Sequence, residues 1–325
     1  MTDLSNIKMI SGDEVYRLLS PAVAVAAIEA ALEGGLNPAN DLPRTFADVD
    51  KGQFLLMPSG SKEATGIKVV TIAPENPSIG QPRIQGLYLL FDPITLTPTA
   101  IIDGAAITAI RTPAISIAAV HRALQLSAEP LDVVVFGTGP QGLAHVQTLA
   151  GTVAGTREIS SVTFIARDAA KAAAQVGSNQ SLGLGESTKV SIVAGGSEAA
   201  VGALAQASVV VAATTAREPL FDSSVLRDNA IVIAVGSHEP EARELDSALM
   251  GRAQVIVETK ASALREYGDV IQAVDDGSLA ADALIEMSDT VTGRVALMGD
   301  RPVVFKSAGM SWQDLVVAQA VVAAG

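Results

Sequence analysis

Cysteine is absent from the 325 residues, which excludes disulfides, thiolate nucleophiles and zinc–cysteine sites together. Aromatic residues make up only 3% of the chain although apolar residues make up 49%, so the core has to be built from Ala, Val, Ile and Leu. That composition suits Val/Ile-rich buried strands covered by Ala-rich helices, the make-up of an α/β protein. Positive charge is scarce: 22 Lys and Arg against 35 Asp and Glu leave a formal net charge of −13. So acidic a chain repels phosphate backbones, and no local basic patch offsets it, so nucleic acid is not an expected partner. No apolar run reaches membrane-spanning length; even ASVVVAAT is short and flanked by polar residues. MTDLSNIKMI has no basic stretch leading into an apolar core, so no signal peptide is read there. Only three histidines and no carboxylates clustered at ligand spacing speak against a metal site. The expectation is a soluble cytoplasmic protein without a membrane partner, with chain enough for roughly two domains.

What is present is patterned. Residues 13–33 (DEVYRLLSPAVAVAAIEAALE) read as an amphipathic helical segment broken near Pro21. From about 44 to 103, the β-type runs FLLMPSG, GIKVVTIAPENP, GLYLLFD and PTAIIDG alternate with turn signals, which predicts an antiparallel or mixed sheet. TPAISIAAVHRAL (112–124) predicts a helix with Thr112 as N-cap and Pro113 at its first position. Then SVTFIA, DAAKAAAQV, VSIVAG, SEAAVGALAQA, SVVVAAT, AIVIAVG and QVIVET alternate strand and helix, the pattern of a parallel, doubly wound sheet. SNQSLGLGEST (178–188) reads as a surface loop. SAGMSWQDLVVAQAVVAAG reads as a last helix that returns to the N-terminal part.

LDVVVFGTGPQGLAHVQTLA (131–150) holds Gly137, Gly139 and Gly142 in a G-x-G-x-x-G frame. The pattern alone is weak in a chain with 28 glycines. Its place after a strand and at the opening of a helix makes it a dinucleotide fingerprint: the glycines allow a tight turn and close approach of backbone N–H groups to a pyrophosphate. The bland alternative is a strand–helix turn with no ligand. The next strand ends Ala166-Arg167-Asp168. An acidic tip selects NAD through the ribose 2′-hydroxyl, whereas an arginine accommodates the 2′-phosphate of NADP. Arg167 comes first and Asp168 suits the N-cap of the following helix, so NADP(H) is expected, with NAD(H) possible; an ordinary strand-end arginine is the alternative.

Arg44 in DLPRTFAD, Lys68 in GIKVVTIAPENP and Arg111 in DGAAITAIRTPA stand in apolar or turn-rich surroundings. Buried unpaired cations cost several kcal/mol, so either the three converge on an anion or each pairs with a carboxylate such as Asp48, Glu75 or Asp103. If they converge, an arginine fork fits a small carboxylate and a partly desolvated lysine suits proton transfer.

Five stretches in order, GIKVVTIAPENP, DGAAITAIRTPA, VVVFGTGPQGLAHVQTL, AVGSHEPEARELD and VFKSAGMSWQDL, resemble the ornithine cyclodeaminase/μ-crystallin family over nearly the whole chain. Members include cyclodeaminases, an archaeal alanine dehydrogenase and imine reductases. The resemblance implies a homodimer with a dimerisation and substrate domain at 1–112 plus 303–325 and a Rossmann domain at 113–302. It implies that Arg44 and Arg111 hold the substrate's α-carboxylate, with Lys68 beside its nitrogen or carboxylate. It implies too that Thr112, the turn with Gly137, Thr138, Gly139, Gln141 and Gly142, and Thr214, Val235 and Ser307 border the dinucleotide. A capped helix N-terminus at Thr112 would serve as an anion site.

The reaction turns on AVGSHEPEARELD (234–246). In members that convert ornithine to proline, an aspartate stands where this chain has His238. Histidine carries no fixed negative charge to hold a substrate ammonium; a neutral or protonated imidazole can instead donate a hydrogen bond or a proton. The other reading makes His238 a spacer along the nicotinamide. His121 and His145 fall within helices and read as packed or solvated. The expected activity is reduction of a cyclic imino acid such as Δ1-pyrroline-2-carboxylate, with Lys68 and His238 as catalytic candidates. The alternatives are an ornithine-type cyclodeaminase, an alanine-dehydrogenase-like deaminase and a non-catalytic NADPH-binding protein.

Overall fold

The computed structural model describes residues 4–325, so residues 1–3 of the expected first domain lie outside the described residues. The chain divides into two units, one running to Thr112 and resuming at Gly309–Gly325, the other Pro113–Ala308.

The first unit opens with β1 (Lys8–Ile10) and α1 (Gly12–Leu18). Ser11 and Glu14 close α1 with a reciprocal capping box, which satisfies donors the first turn would otherwise leave free. α2 (Pro21–Glu33) starts on Pro21 at its first turn, where a missing N–H costs nothing; the helical segment is thus broken where its proline predicts. There follow β2 (Thr45–Val49), β3 (Gly52–Gly60), β4 (Thr65–Ile72), β5 (Ile84–Phe91) and β6 (Pro98–Asp103). They form a mixed six-stranded sheet ordered β1-β6-β5-β4-β3-β2, parallel only at β1–β6. One face is buried: Met57, Lys68, Tyr88 and Ile102 stand side by side across it.

α3 (Gly104–Leu124) is one continuous helix with Pro113 inside it, and here the sequence reading needs correction. Thr112 is no N-cap. Its hydroxyl donates to the Thr108 carbonyl 2.9 Å away, within the helix, while Asp103 accepts from the Ala106 N–H at the true start. Thr-Pro imitates a helix opening, but the apolar stripe of AAITAIRTPAISIAAV runs straight through it, and burial on both sides of Pro113 outweighs the one lost backbone bond. The anion site expected from a capped terminus at Thr112 therefore falls.

The second unit alternates β7 (Leu131–Phe136), α4 (Pro140–Val153), β8 (Ile159–Ala166), α5 (Ala169–Val176), β9 (Lys189–Ala194), α6 (Glu198–Gln206), β10 (Val209–Ala212), β11 (Ile231–Ala234), α7 (Ser247–Arg252) and β12 (Gln254–Val257). It continues with α8 (Lys260–Glu266), α9 (Gly268–Asp275), β13 (Ile285–Glu286), α10 (Met287–Val291) and β14 (Val303–Lys306). All eight strands are parallel, ordered β13-β12-β14-β11-β10-β7-β8-β9. β10, β11, β12 and β14 are buried along their whole length, as strands covered by helices on both faces must be. The chain runs outward from β7 in both directions, and such a reversal opens a crevice at the carboxyl ends of the strands. The fold thus comprises a Rossmann-type doubly wound α/β domain and an α+β unit. The expected second boundary at 303 differs from the structure: β14 is held between β11 and β12, so 303–308 stays with the parallel sheet. α11 (Ser311–Ala324) then belongs to the first unit and packs on α2 and on β3, β4 and β5. Among the described residues no single helix is long and apolar enough to cross a membrane.

Candidate functional site

In the second unit β7 delivers the chain into the glycine turn. Gly137 has φ of 102°, and a Cβ there would stand 2.5 Å from the Ala213 carbonyl oxygen. A Cβ on Gly142 would fall 2.0 Å from the Gly137 oxygen, so the helix closes directly on the turn. Gly139 differs: a Cβ on it would meet nothing within 4 Å. α4 opens beside this space on Pro140 with no side-chain cap, leaving the N–H groups of Gln141 and Gly142 and the positive end of the helix for an anion. The Gln141 side-chain oxygen is buried there without a hydrogen-bond partner among the described residues, and Thr138 donates to Gln175 Oε1 at 2.6 Å. An open cradle, uncapped donors and an orphaned acceptor fit a dinucleotide.

The other residues expected along the cofactor arrive at the same edge. Thr214 follows β10, Val235 follows β11 and Ser307 follows β14; the Val235 N–H donates to Ala212 O at 2.9 Å and the Ser307 N–H to Ala234 O at 3.2 Å. Arg167 is exposed just beyond β8, while Asp168 accepts from the Lys171 N–H at 3.0 Å and caps α5. His238 lies exposed on the loop after β11. His145 is packed: burial pushes its pKa down to about 4, Nδ1–H donates to the Gln141 carbonyl at 2.7 Å and Nε2 accepts from Ser116 Oγ at 3.0 Å. His121 is half-buried on α3.

In the first unit the alternation of β4 turns Gly66, Lys68 and Val70 inward. Gly66 makes room for Tyr88, whose hydroxyl oxygen would stand 2.4 Å from a Cβ there and has no hydrogen-bond partner among the described residues. Lys68 Nζ lies 2.8 Å from Asp314 Oδ2 and donates to Thr108 Oγ1 at 3.2 Å. Arg111 Nε meets Asp314 Oδ1 at 3.2 Å, and its Nη1 donates to Gln313 Oε1 at 3.1 Å. The guanidinium lies along the backbone of Gly309, which has φ of 87° and where a Cβ would come 2.3 Å from Nη1. Arg44, half-buried ahead of β2, is near enough for its charge to act on Lys68.

Burial pulls the Lys68 pKa down to about 8; Asp314 opposes this, and Arg111 and Arg44 add to it. A lysine so placed is mostly protonated at neutral pH yet yields its proton readily. Asp41 accepts from Ser59 Oγ at 2.8 Å and from the Trp312 N–H at 3.0 Å; burial lifts its pKa to about 6 against those bonds. Lys68, Arg111 and Arg44 against Asp314 and Asp41 leave a positive remainder, and a small carboxylate fits it. Of Asp48, Glu75 and Asp103, none is the partner that Lys68 and Arg111 meet; Asp314 is. Sequence reasoning missed Asp314 because an acid in the first turn of a helix reads as ordinary dipole complementarity. Its one signal was a charge set among the apolar residues of SWQDLVV.

The model of the ornithine cyclodeaminase/mu-crystallin family matches residues 7–324. The Δ1-pyrroline-2-carboxylate reductase of Bacillus thuringiensis subsp. konkukian is 34% identical over 323 residues, covering 96% of this chain and 94% of that one. Rat ketimine reductase mu-crystallin is 31% identical over 96% of this chain and 95% of its own. Among solved structures, Thermococcus litoralis Δ1-pyrroline-2-carboxylate reductase in complex with NADH and L-proline superposes with a TM-score of 0.80, at 26% identity, covering 98% of this chain and 97% of that one.

Proposed function

Because the chain belongs to the ornithine cyclodeaminase/mu-crystallin family, we propose that it reduces a cyclic imino acid, Δ1-pyrroline-2-carboxylate or a six-membered ketimine, to the corresponding amino acid. The observation that carries this reading is the buried cluster in which Lys68 and Arg111 share Asp314 and keep net positive charge. Arg111 and Arg44 take the substrate's carboxylate, for which a guanidinium fork is the matching donor. Lys68 is the proton donor to the imine nitrogen. Protonating C=N makes its carbon strongly electrophilic, so the cations act where charge changes in the reaction. The reduced dinucleotide, when bound, supplies the hydride that becomes the new C–H bond. The glycine turn holds its pyrophosphate, and Thr214, Val235 and Ser307 border its other half.

Between the two proton-donor candidates, burial and a pKa drawn towards neutrality favour Lys68 over the exposed His238; we assign His238 a supporting contact from its loop. The same residue disfavours an ornithine-type cyclodeaminase, whose resemblance calls for a carboxylate at that place. The preferred cofactor is NADP(H), on Arg167 and on the engagement of Asp168 as a cap. The working form is a cytoplasmic homodimer. Support for the second copy comes from the outer face of the mixed sheet, where Met9, Ile101, Leu89, Ile67 and Pro58 form an apolar row across five strands, each of them part-exposed or exposed.

The test is to follow reduced-nicotinamide absorbance with purified protein, NADPH or NADH, and Δ1-pyrroline-2-carboxylate. Rapid oxidation dependent on the imine supports the reductase. No oxidation, with ammonia released from ornithine by protein holding catalytic NAD⁺, overturns it in favour of the cyclodeaminase.

A further inference from the structure

Three loops leave the carboxyl edge of the parallel sheet after β10, β11 and β14, and each is tied down from beneath by a buried charged side chain. Glu244, fully buried, accepts from both the N–H and the hydroxyl of Thr214 through Oε1, at 2.8 Å each, and from the Gly236 N–H through Oε2 at 2.7 Å. One carboxylate thus clamps the loop after β10 to the loop after β11. The two backbones touch: a Cβ on Gly236 would fall 2.0 Å from the Thr214 carbonyl oxygen. Glu244 is itself held, because Asp269 Oδ1 accepts from the Glu244 and Leu245 N–H groups at 2.7 and 2.8 Å. Asp269 Oδ2 lies 3.0 Å from Lys306 Nζ, and Lys306, the last residue of β14, donates to the Ser237 carbonyl at 2.7 Å. Ser237 in turn donates its hydroxyl to the Ala242 carbonyl. Beside them the Ala308 N–H donates to Glu258 Oε2 at 3.1 Å, and Tyr267 donates to the same oxygen.

Burying a lysine and two carboxylates is an inefficient way to stabilise a fold, since well-packed apolar residues often do as well or better. What such a set does well is fix direction: each oxygen sets the height of a particular backbone N–H, and the low dielectric strengthens every bond in the chain. The groups it orients lie directly beside Val235 and His238 and include Thr214.

We propose that Glu244, with Asp269 and Lys306 behind it, is the positioning residue for the nicotinamide half of the dinucleotide, acting through the Thr214 and Gly236–Ser237 backbones. The inference rests on the dinucleotide reading above. Glu244→Gln preserves shape but replaces one acceptor oxygen by an NH2 group that opposes an N–H, so the two loops part.

The experiment compares dissociation constants for NADPH and for 2′-phospho-ADP-ribose, which keeps the adenosine and pyrophosphate but lacks nicotinamide, in wild type, Glu244→Gln and the milder Ser237→Ala. The Ser237 hydroxyl bonds away from the turn, to Ala242, so this variant keeps the test open if Glu244→Gln fails to fold. Expected is an NADPH affinity weakened about tenfold or more in Glu244→Gln, as for a lost hydrogen bond to a charged group. A smaller change in the same sense is expected in Ser237→Ala, with the fragment's affinity held within about twofold in both. Equal weakening of both ligands would reveal a merely structural role and overturn the proposal, as would unchanged NADPH affinity. Wild type binding neither ligand, nor NADH, would instead overturn the dinucleotide reading on which the proposal stands.

Discussion

Lys68 is the residue whose surroundings make the sharpest prediction. Its folded pKa of about 8 lies below the 10.5 of an ordinary lysine, so the proton that the proposed role has Lys68 donate is present below pH 8 and lost as pH rises through it. A plot of kcat/KM against pH should show a one-proton fall on the alkaline side near that value. Asp314 holds this pKa up, so Asp314→Asn should move the fall to lower pH, whereas His238→Ala should leave it in place. A fall that stays put in Asp314→Asn would separate Lys68 from the proton transfer. The depressed pKa also bears on stability, with the opposite sign to a salt-bridged surface lysine. Between pH 8 and 10.5 the unfolded chain binds the proton that the folded chain has released, so Lys68 contributes stability that increases as pH rises through this window. Arg167 carries the second residue-scale prediction. Arg167→Ala should raise KM for NADPH about tenfold or more while leaving KM for NADH unchanged, as expected for a lost contact to a phosphate. Equal effects on both cofactors would return Arg167 to the status of a surface arginine.

At the scale of elements, the β7–α4 turn separates two uses of glycine. Gly142 is required by packing, because a Cβ there would strike the Gly137 carbonyl. Gly139 is required by nothing among the described residues: its φ of −74° suits any residue and a Cβ would enter open space. Gly142→Ala should therefore lower Tm. Gly139→Ala should melt as wild type does and yet lose dinucleotide affinity, because the methyl occupies the space through which a pyrophosphate approaches the backbone. Unchanged NADPH binding in Gly139→Ala, read by titration, would show the turn to be no more than a connection. The elements were unequally legible. β7, α4, β10 and β11 stand where their patterns predict, since fully buried parallel strands are written as unbroken Val and Ile runs. β1 has three residues, too few to show any period, and β2 (TFADV) is exposed along its length, so neither carried a signal. α3 was cut short at Thr112 because the local signs of a helix start are the same whether or not helix precedes them.

For the whole molecule the relevant surface is the outer face of the mixed sheet. Leu87 stands there 51% exposed, paired with Val69 on β4. A broad apolar face on a chain with net charge −13 is what an obligate pairing covers, since the negative charge elsewhere keeps copies apart. Leu87→Glu should convert a dimer seen by light scattering into monomer, with a lower Tm that no longer depends on protein concentration. A wild-type protein that is monomeric at micromolar concentration would remove the dimer from the proposal.

The sequence alone shows what depends on neighbours along the chain: the parallel-strand pattern, the glycine turn with its helix, the proline break after α1, and the types of residue available for chemistry. It identified Lys68 and Arg111 as cations in the wrong surroundings, and the resemblance added where such cations serve. What they meet follows from how the chain packs. Arg111 and Asp314 are 203 residues apart, and no spacing rule connects the middle of α3 with the first turn of the last helix. The same holds for Glu244, which reads as one acid among several in SHEPEARELD until folding buries it under two loops. Periodicity and turn chemistry are short-range properties that a chain carries openly; the pairing of buried charges is settled by which surfaces pack together, and that is a property of the fold.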